Sequence, residues 1–119
     1  MREKITSKIC LVQNLGTNGN LFGGNMLAWM DEAAAIYAMQ TTGEPHVVSL
    51  KFAEIIFKKP VKENDIIEYY CEDPQIGNTS ISFNITAEVR GIKIFSTECC
   101  FVVIDKNGQP KVITQVDDL

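Results

Sequence analysis

The chain has 119 residues, 45% of them apolar and 22% charged, and a formal net charge of −4. That is the composition of an ordinary globular protein near the commonest domain size, so residues 1–119 are read as one domain. The acidic balance argues against a nucleic-acid binder, and the charged opening Met1-Arg-Glu-Lys4, with no apolar run behind it, is unlike a secretory leader, which makes the cytoplasm the expected compartment.

In chain order, Ile5 to Val12 is the first candidate strand. Gln13 to Gly19 is polar and turn-prone, hence a loop. Asn18 to Met39 then passes from glycines and polar residues into a long apolar run without proline, which predicts a helix from near Gly24 to the Thr41–Gly43 region. Its apolar residues, Met26 to Met30 and Ala33 to Met39 among them, go nearly all the way round, so it is expected to be buried on every side at the centre of the fold. It is too short for a membrane span, and Asn25, Asp31 and Glu32 interrupt it. Gly43 and Pro45 stop it.

Val47 to Phe57, rich in β-branched and aromatic residues, reads as a strand. Pro60 and the charged Lys62–Asp65 run form a loop. Ile66 to Asp73 is the next strand, with Ile67, Tyr69 and Cys71 on one face, and Pro74 to Asn78 breaks it. Thr79 to Arg90 alternates most clearly, Ile81, Phe83, Ile85, Ala87 and Val89 facing one way, as in an antiparallel sheet with one covered face. Gly91 turns the chain into Ile92 to Asp105, and Asp105-Lys-Asn-Gly108 is a turn. The acidic tail, Gln109 to Leu119, is expected to be loose in part. The order is strand, helix, then four strands with short connections. It predicts an α+β fold, four consecutive antiparallel strands curved around one long helix, with one exposed sheet edge.

The four cysteines, Cys10, Cys71, Cys99 and Cys100, lack metal-ligand spacing, and adjacent Cys99 and Cys100 point to opposite faces of a strand. They are read as reduced, mostly buried thiols. Neither a metal nor a cofactor is expected. His46, the only histidine, has no identifiable partner and is read as structural or surface.

Chemistry concentrates at the helix. Gly23 and Gly24 let a ligand approach amides that have no intrahelical partner and carry the positive end of the dipole, which suits an anion or a developing oxyanion. Close packing of loop on sheet is the alternative use of such glycines. Asp31, two turns in, is a carboxylate in apolar company, either used or at a rim where the helix surfaces. Asn20 is a turn residue or a group that holds water or a carbonyl. Lys58 and Lys59 are a basic spot in an acidic chain, either a solvated loop or a phosphate contact.

Gly19-Asn-Leu-Phe-Gly-Gly-Asn-Met-Leu-Ala-Trp-Met-Asp-Glu-Ala33 resembles the signature of hotdog-fold acyl-CoA thioesterases. Val48-Ser49, Phe57, Pro60, Asp65, Gly77-Asn-Thr-Ser80 and Phe101 to Pro110 follow in family order, so the resemblance spans about residues 5 to 112. It implies a hotdog fold, a curved antiparallel sheet around a long central helix, and hydrolysis of acyl-CoA to free acid and coenzyme A. By the same resemblance the Gly23 or Gly24 amide polarises the thioester carbonyl, the family's helix carboxylate falls on Asp31, and its Asp-or-Asn position falls on Asn20. Ser49 stands where a threonine is common, and Thr79 and Ser80 stand where the family tends to contact the coenzyme. Sites at dimer interfaces are implied, Asn20 of one subunit facing Asp31 of the other, in homodimers that assemble into tetramers or hexamers. The conjunction of Gly-Gly, Asp31 and Asn20 leads to the expectation that Asp31 activates water or attacks directly, a glycine amide holds the oxyanion, and Asn20 orients water or substrate. The rivals are an acyl-CoA or lipid binding module without turnover, a dehydratase, which would need a well-placed histidine, and a purely structural oligomerisation domain.

Overall fold

The computed structural model describes residues 2–114. Its elements are β1 (Glu3–Ile9), a short 3-10 turn at Val12–Asn14, α1 (Gly23–Thr42), β2 (Val47–Phe52), β3 (Ile66–Ile76), β4 (Ser80–Val89) and β5 (Ile92–Val103). The expectation of a loose tail lies in part, at residues 115–119, outside the described residues.

The five strands form one sheet in the order β1-β3-β4-β5-β2, all neighbours antiparallel. One long helix against an antiparallel sheet is the α+β arrangement that both the strand pattern and the hotdog resemblance imply. The four later strands are not a simple meander, however. β2 pairs with β5 at the far side of the sheet, with Val47 opposite Val103 and Phe52 opposite Cys99. The chain therefore crosses back before β3 begins, and the sheet has two edges, β1 and β2, rather than one.

Other boundaries move for local reasons. β1 ends at Ile9, before the turn at Val12–Asn14. β2 stops at Phe52 instead of Phe57. Beyond it the chain still follows β5 through Ala53 N–H to the Glu98 carbonyl (2.8 Å) and Lys58 N–H to the Ile94 carbonyl (2.9 Å), without a regular ladder. β3 runs through Pro74 to Ile76, because a bulge between Glu72 and Gln75, with Asp73 at φ 58°, takes the proline out of the pairing.

The core lies between one face of the sheet and one face of α1. Ile67, Tyr69 and Cys71 of β3, the alternating Ile81–Val89 set of β4, and Phe95, Cys99 and Phe101 of β5 are buried against Met26, Met30, Ala33, Ala34, Tyr37 and Ala38. These helix positions recur every three or four residues, so a single face of α1 meets the sheet. Tyr37 meets Phe83 edge-to-face at 4.8 Å. The expectation of burial on every side does not hold within one subunit, where Gly24, Ala28, Asp31, Glu32 and Met39 are exposed. One sheet covers one side of a helix, and the opposite side needs another surface.

The helix ends by the αL device. Gly43 adopts φ 72° and its N–H bonds the Met39 carbonyl at 2.9 Å. Near the other end, the buried Tyr69 hydroxyl donates to the Met26 carbonyl at 3.0 Å. Burial pushes the Tyr69 pKa well above the ordinary phenol value, which keeps that proton in place. Thus the first turns of α1 are fixed to the sheet. Tyr69→Phe, which deletes this donor, is expected to cost about 1 kcal/mol in urea unfolding with little change in the slope.

A second anchor is Asp65. Its carboxylate accepts the Lys62 backbone N–H at 2.9 Å and the Arg90 guanidinium at 2.8 Å, and its carbonyl accepts the Cys10 N–H at 2.9 Å. The ends of β1 and β3 and the β4–β5 turn are tied together there. The Lys62 amide first, then Arg90, hold the carboxyl below its usual 3.8, against the opposing effect of burial. A lowered folded value means stability that is full above about pH 4 and lost as the pH falls through the folded value. Acid titration of the urea midpoint should show that loss, and Asp65→Asn should flatten it while lowering the plateau at neutral pH.

Candidate active site

The loop before α1 is built by short-range hydrogen bonds. The Asn18 side chain accepts the Asn20 N–H at 3.1 Å, and Gly16 N–H bonds the Asn20 carbonyl at 2.7 Å. Leu21 N–H reaches the Val61 carbonyl at 2.7 Å and Phe22 N–H the Asn14 carbonyl at 2.9 Å. Together these lay the loop against the Phe57–Val61 segment. The N-cap is Phe22, whose side chain makes no capping bond, and the Gly23 and Gly24 amides find no acceptor among the described residues. They stand open at the positive end of a 20-residue helix.

Gly23 walls a cleft of about 310 Å³ with Asn20, Met26, Phe57, Lys58 and Lys59 among others, whereas Gly24 does not line it. Four of the residues predicted from sequence thus meet in one place. A β-carbon on Gly23 would lie 3.6 Å from the Phe57 ring, an ordinary contact, and one on Gly24 only 2.7 Å from the Phe22 ring, so at Gly24 the bare backbone makes room for Phe22, the close-packing use of such a glycine. Lys58 and Lys59 are exposed beside it.

Asp31 and Ser49 lie elsewhere. They wall a separate cleft of about 410 Å³ with Ala28, Ala35, Val48 and Phe101. Eight residues of helix separate Gly23 from Asp31, about 12 Å along the axis. Asp31 is exposed; it is the rim position of the two readings, at least within one subunit. Thr79 and Ser80 sit at the start of β4, where the Thr79 carbonyl accepts the Val103 N–H at 2.9 Å, and they wall neither cleft. His46 is exposed at the start of β2 and its carbonyl accepts the Ile104 N–H.

The cysteines are free thiols, Cys10, Cys71 and Cys99 buried and Cys100 half-buried. Burial pushes Cys99 up to about 12 and raises Cys10 and Cys71 as well, so these three do not serve as nucleophiles near neutral pH.

Sequence reasoning missed Lys62. Its Nζ donates to Asn20 Oδ1 at 2.6 Å from 42 positions away. No periodicity or spacing signals that contact; it exists because the Leu21–Val61 backbone bond brings the two segments side by side.

Comparison with known proteins agrees with this architecture. The acyl-CoA thioester hydrolase YciA of Escherichia coli K12 is 29% identical over 120 residues, which cover 93% of this chain and 90% of that protein. An uncharacterized acyl-CoA thioester hydrolase of Buchnera aphidicola is 30% identical over 118 residues, 90% of this chain and 85% of the relative. Among solved structures, Cj0915, a hexameric hotdog fold thioesterase of Campylobacter jejuni, matches with a TM-score of 0.85 at 28% identity over 94% of this chain and 90% of its own. A Staphylococcus aureus acyl-CoA hydrolase solved with butyryl coenzyme A and coenzyme A matches with a TM-score of 0.81 at 27% identity, over 98% and 73%. Residues 18–94 match the family model of the thioesterase superfamily, a span that takes in all of α1 and its open amides, and the chain belongs to that superfamily.

Proposed function

We propose that this chain hydrolyses acyl-CoA thioesters to a free carboxylic acid and coenzyme A, at a site completed by a second copy of itself. The observation that carries the shared site is the separation of the two clefts. Asp31 is too far along α1 to reach a carbonyl seated on the Gly23 amide of its own subunit, yet Asp31 is exposed and Gly23, half-buried, still lines an open cleft. A two-fold partner lying antiparallel on the uncovered helix face would bring one copy's carboxylate to the other's amides.

The surfaces support such an assembly. The uncovered helix face carries Gly24, Ala28 and Ala35, small residues that permit close approach. The adjoining edge strand β2 exposes Val48 and, at 66%, Leu50, the kind of apolar edge that seeks a partner. The relatives named above include a hexameric protein, and a homodimer assembling further is the form proposed for this chain.

In the reaction, the thioester oxygen rests on the Gly23 or Gly24 amide. Asp31 of a second copy takes a proton from water as the water oxygen adds to the carbonyl carbon, or adds through its own carboxylate oxygen to give a mixed anhydride that water then opens. The oxyanion draws most strongly on the helix amides; one such donor lowers the barrier by about 2.7–4 kcal/mol. Collapse breaks the C–S bond and releases the thiolate of coenzyme A. Ser49, Thr79 and Ser80 are assigned to substrate contact, and Lys58 and Lys59 to the phosphates of the coenzyme. Among the described residues, no helix is long and apolar enough to cross a membrane.

Thiol release from a panel of acyl-CoA substrates is the direct assay. Asp31→Asn should lower kcat by about 10²- to 10⁴-fold with the oligomer intact by size-exclusion chromatography, since the amide has the shape of the carboxylate. Mixing Asp31→Asn subunits with Asn20→Ala subunits should restore about one quarter of wild-type activity after subunit exchange, since half the dimers are then mixed and each holds one intact site. No recovery with proven exchange would sink the shared site. Separately, the Lys58→Ala, Lys59→Ala double variant should raise KM by about tenfold at low salt, a difference that shrinks as ionic strength rises.

A further inference from the structure

Asn20 has two ends, and the sequence does not say which one works. As an acceptor it would orient a water; as a donor it would hold a carbonyl. The structure separates these. Lys62 Nζ lies 2.6 Å from Asn20 Oδ1. An ammonium group has donors only, so the end of the amide that faces it must be the oxygen, whichever way the amide is drawn. Backbone bonds hold the two segments side by side, so the contact is within reach of both side chains. Asn20 N–H is bonded to Asn18 and its carbonyl to Gly16 N–H, while the next residue, Leu21, is bonded to Val61, the neighbour of Lys62.

A side-chain amide is planar, with oxygen and nitrogen on opposite sides of Cγ. Lys62 is not among the residues that wall the Gly23 cleft, whereas Asn20 is. Asn20 Nδ2 has no acceptor among the described residues.

We infer that Lys62 is a positioning residue that turns Asn20 so that its NH2 group enters the cleft, where it is a second hydrogen-bond donor, beside the Gly23 amide, to the carbonyl oxygen of the thioester. This rests on the reading of the cleft as an acyl-CoA site. No proton is transferred at Asn20 or Lys62. The amide donates a hydrogen bond that strengthens as the carbonyl oxygen takes on charge, and Lys62 prevents the flip that would present an acceptor to a developing oxyanion.

Two measurements test it on the full-length protein. The first is kinetic, by thiol release from acetyl-, octanoyl- and palmitoyl-CoA. Lys62→Met should lower kcat about tenfold with KM changed less than about twofold, and Lys62→Arg, which keeps a donor, should recover most of the loss. In an Asn20→Ala background, Lys62→Met should change kcat by less than about twofold, since there is no amide left to position. An unchanged kcat in Lys62→Met, or losses that multiply in the double variant, overturns the inference. The second is binding by calorimetry of an octanoyl-CoA analogue with CH2 in place of the thioester sulfur, which keeps the carbonyl and resists hydrolysis. Asn20→Asp, an acceptor without donors, should bind it about tenfold more weakly than wild type yet bind free coenzyme A within about twofold. Equal effects on both ligands, or tighter binding of the analogue, overturn the donor role. A wild type that releases no thiol removes the hydrolase reading alone, because the binding comparison still decides which end of Asn20 faces the ligand; a wild type that binds neither ligand overturns both.

Discussion

One sheet covers one side of a helix, and most of what distinguishes this structure follows from that limit. α1 sets Met26, Met30, Ala33, Ala34, Tyr37 and Ala38 into the concavity of five antiparallel strands, and there its demand for apolar company is met. The other side is apolar too, but small, and it carries Asp31 and Glu32 into the open. A helix with this composition is unfinished in a single subunit. The same limit separates the carboxylate from the glycine amides, since both lie on one straight rod and cannot fold toward each other. Completion by a second copy would satisfy the helix face and the chemistry together.

The electrostatics point the same way. The chain is acidic overall, yet Lys58, Lys59 and Lys62 gather around the start of α1, where the uncapped amides already favour negative charge. Positive charge thus gathers beside the cleft that the proposed function assigns to the thioester carbonyl and its anionic coenzyme. None of the three lysines lies within α1; they arrive on the segment between β2 and β3. That segment owes its position to the crossover that returns the chain from the far edge of the sheet, and to the Asp65 anchor just after it.

How far the fold was legible varies by element, for physical reasons. β4 was read from alternation alone, because Ile81, Phe83, Ile85, Ala87 and Val89 all meet the core, although Thr86 and Glu88 on the other face are buried too. α1 was read within a residue at each end, since Gly43 and Pro45 stop a helix whatever surrounds it. β2 was overextended to Phe57, because Ile55, Ile56 and Phe57 have strand chemistry but end up along β5 without a regular ladder. Pro74 was taken as a break, although a bulge carries β3 past it. In the site, Asn20, Gly23, Lys58 and Lys59 were each legible as candidates, and folding gathers them. Asp31 was equally legible, but its burial was inferred from a pattern that holds for one face of the helix only.

By itself the sequence determined the kind of elements, their order, the inward faces of the strands and the groups capable of chemistry. Those depend on neighbours a few residues away, through periodicity, turn residues and the residue types a reaction needs. Tertiary structure alone decided that β2 lies against β5, that Lys62 bonds Asn20 across 42 positions, and that Gly23 and Asp31 line different clefts. Each of these is a contact between distant segments, set by how one sheet closes over one helix, and no local pattern encodes it.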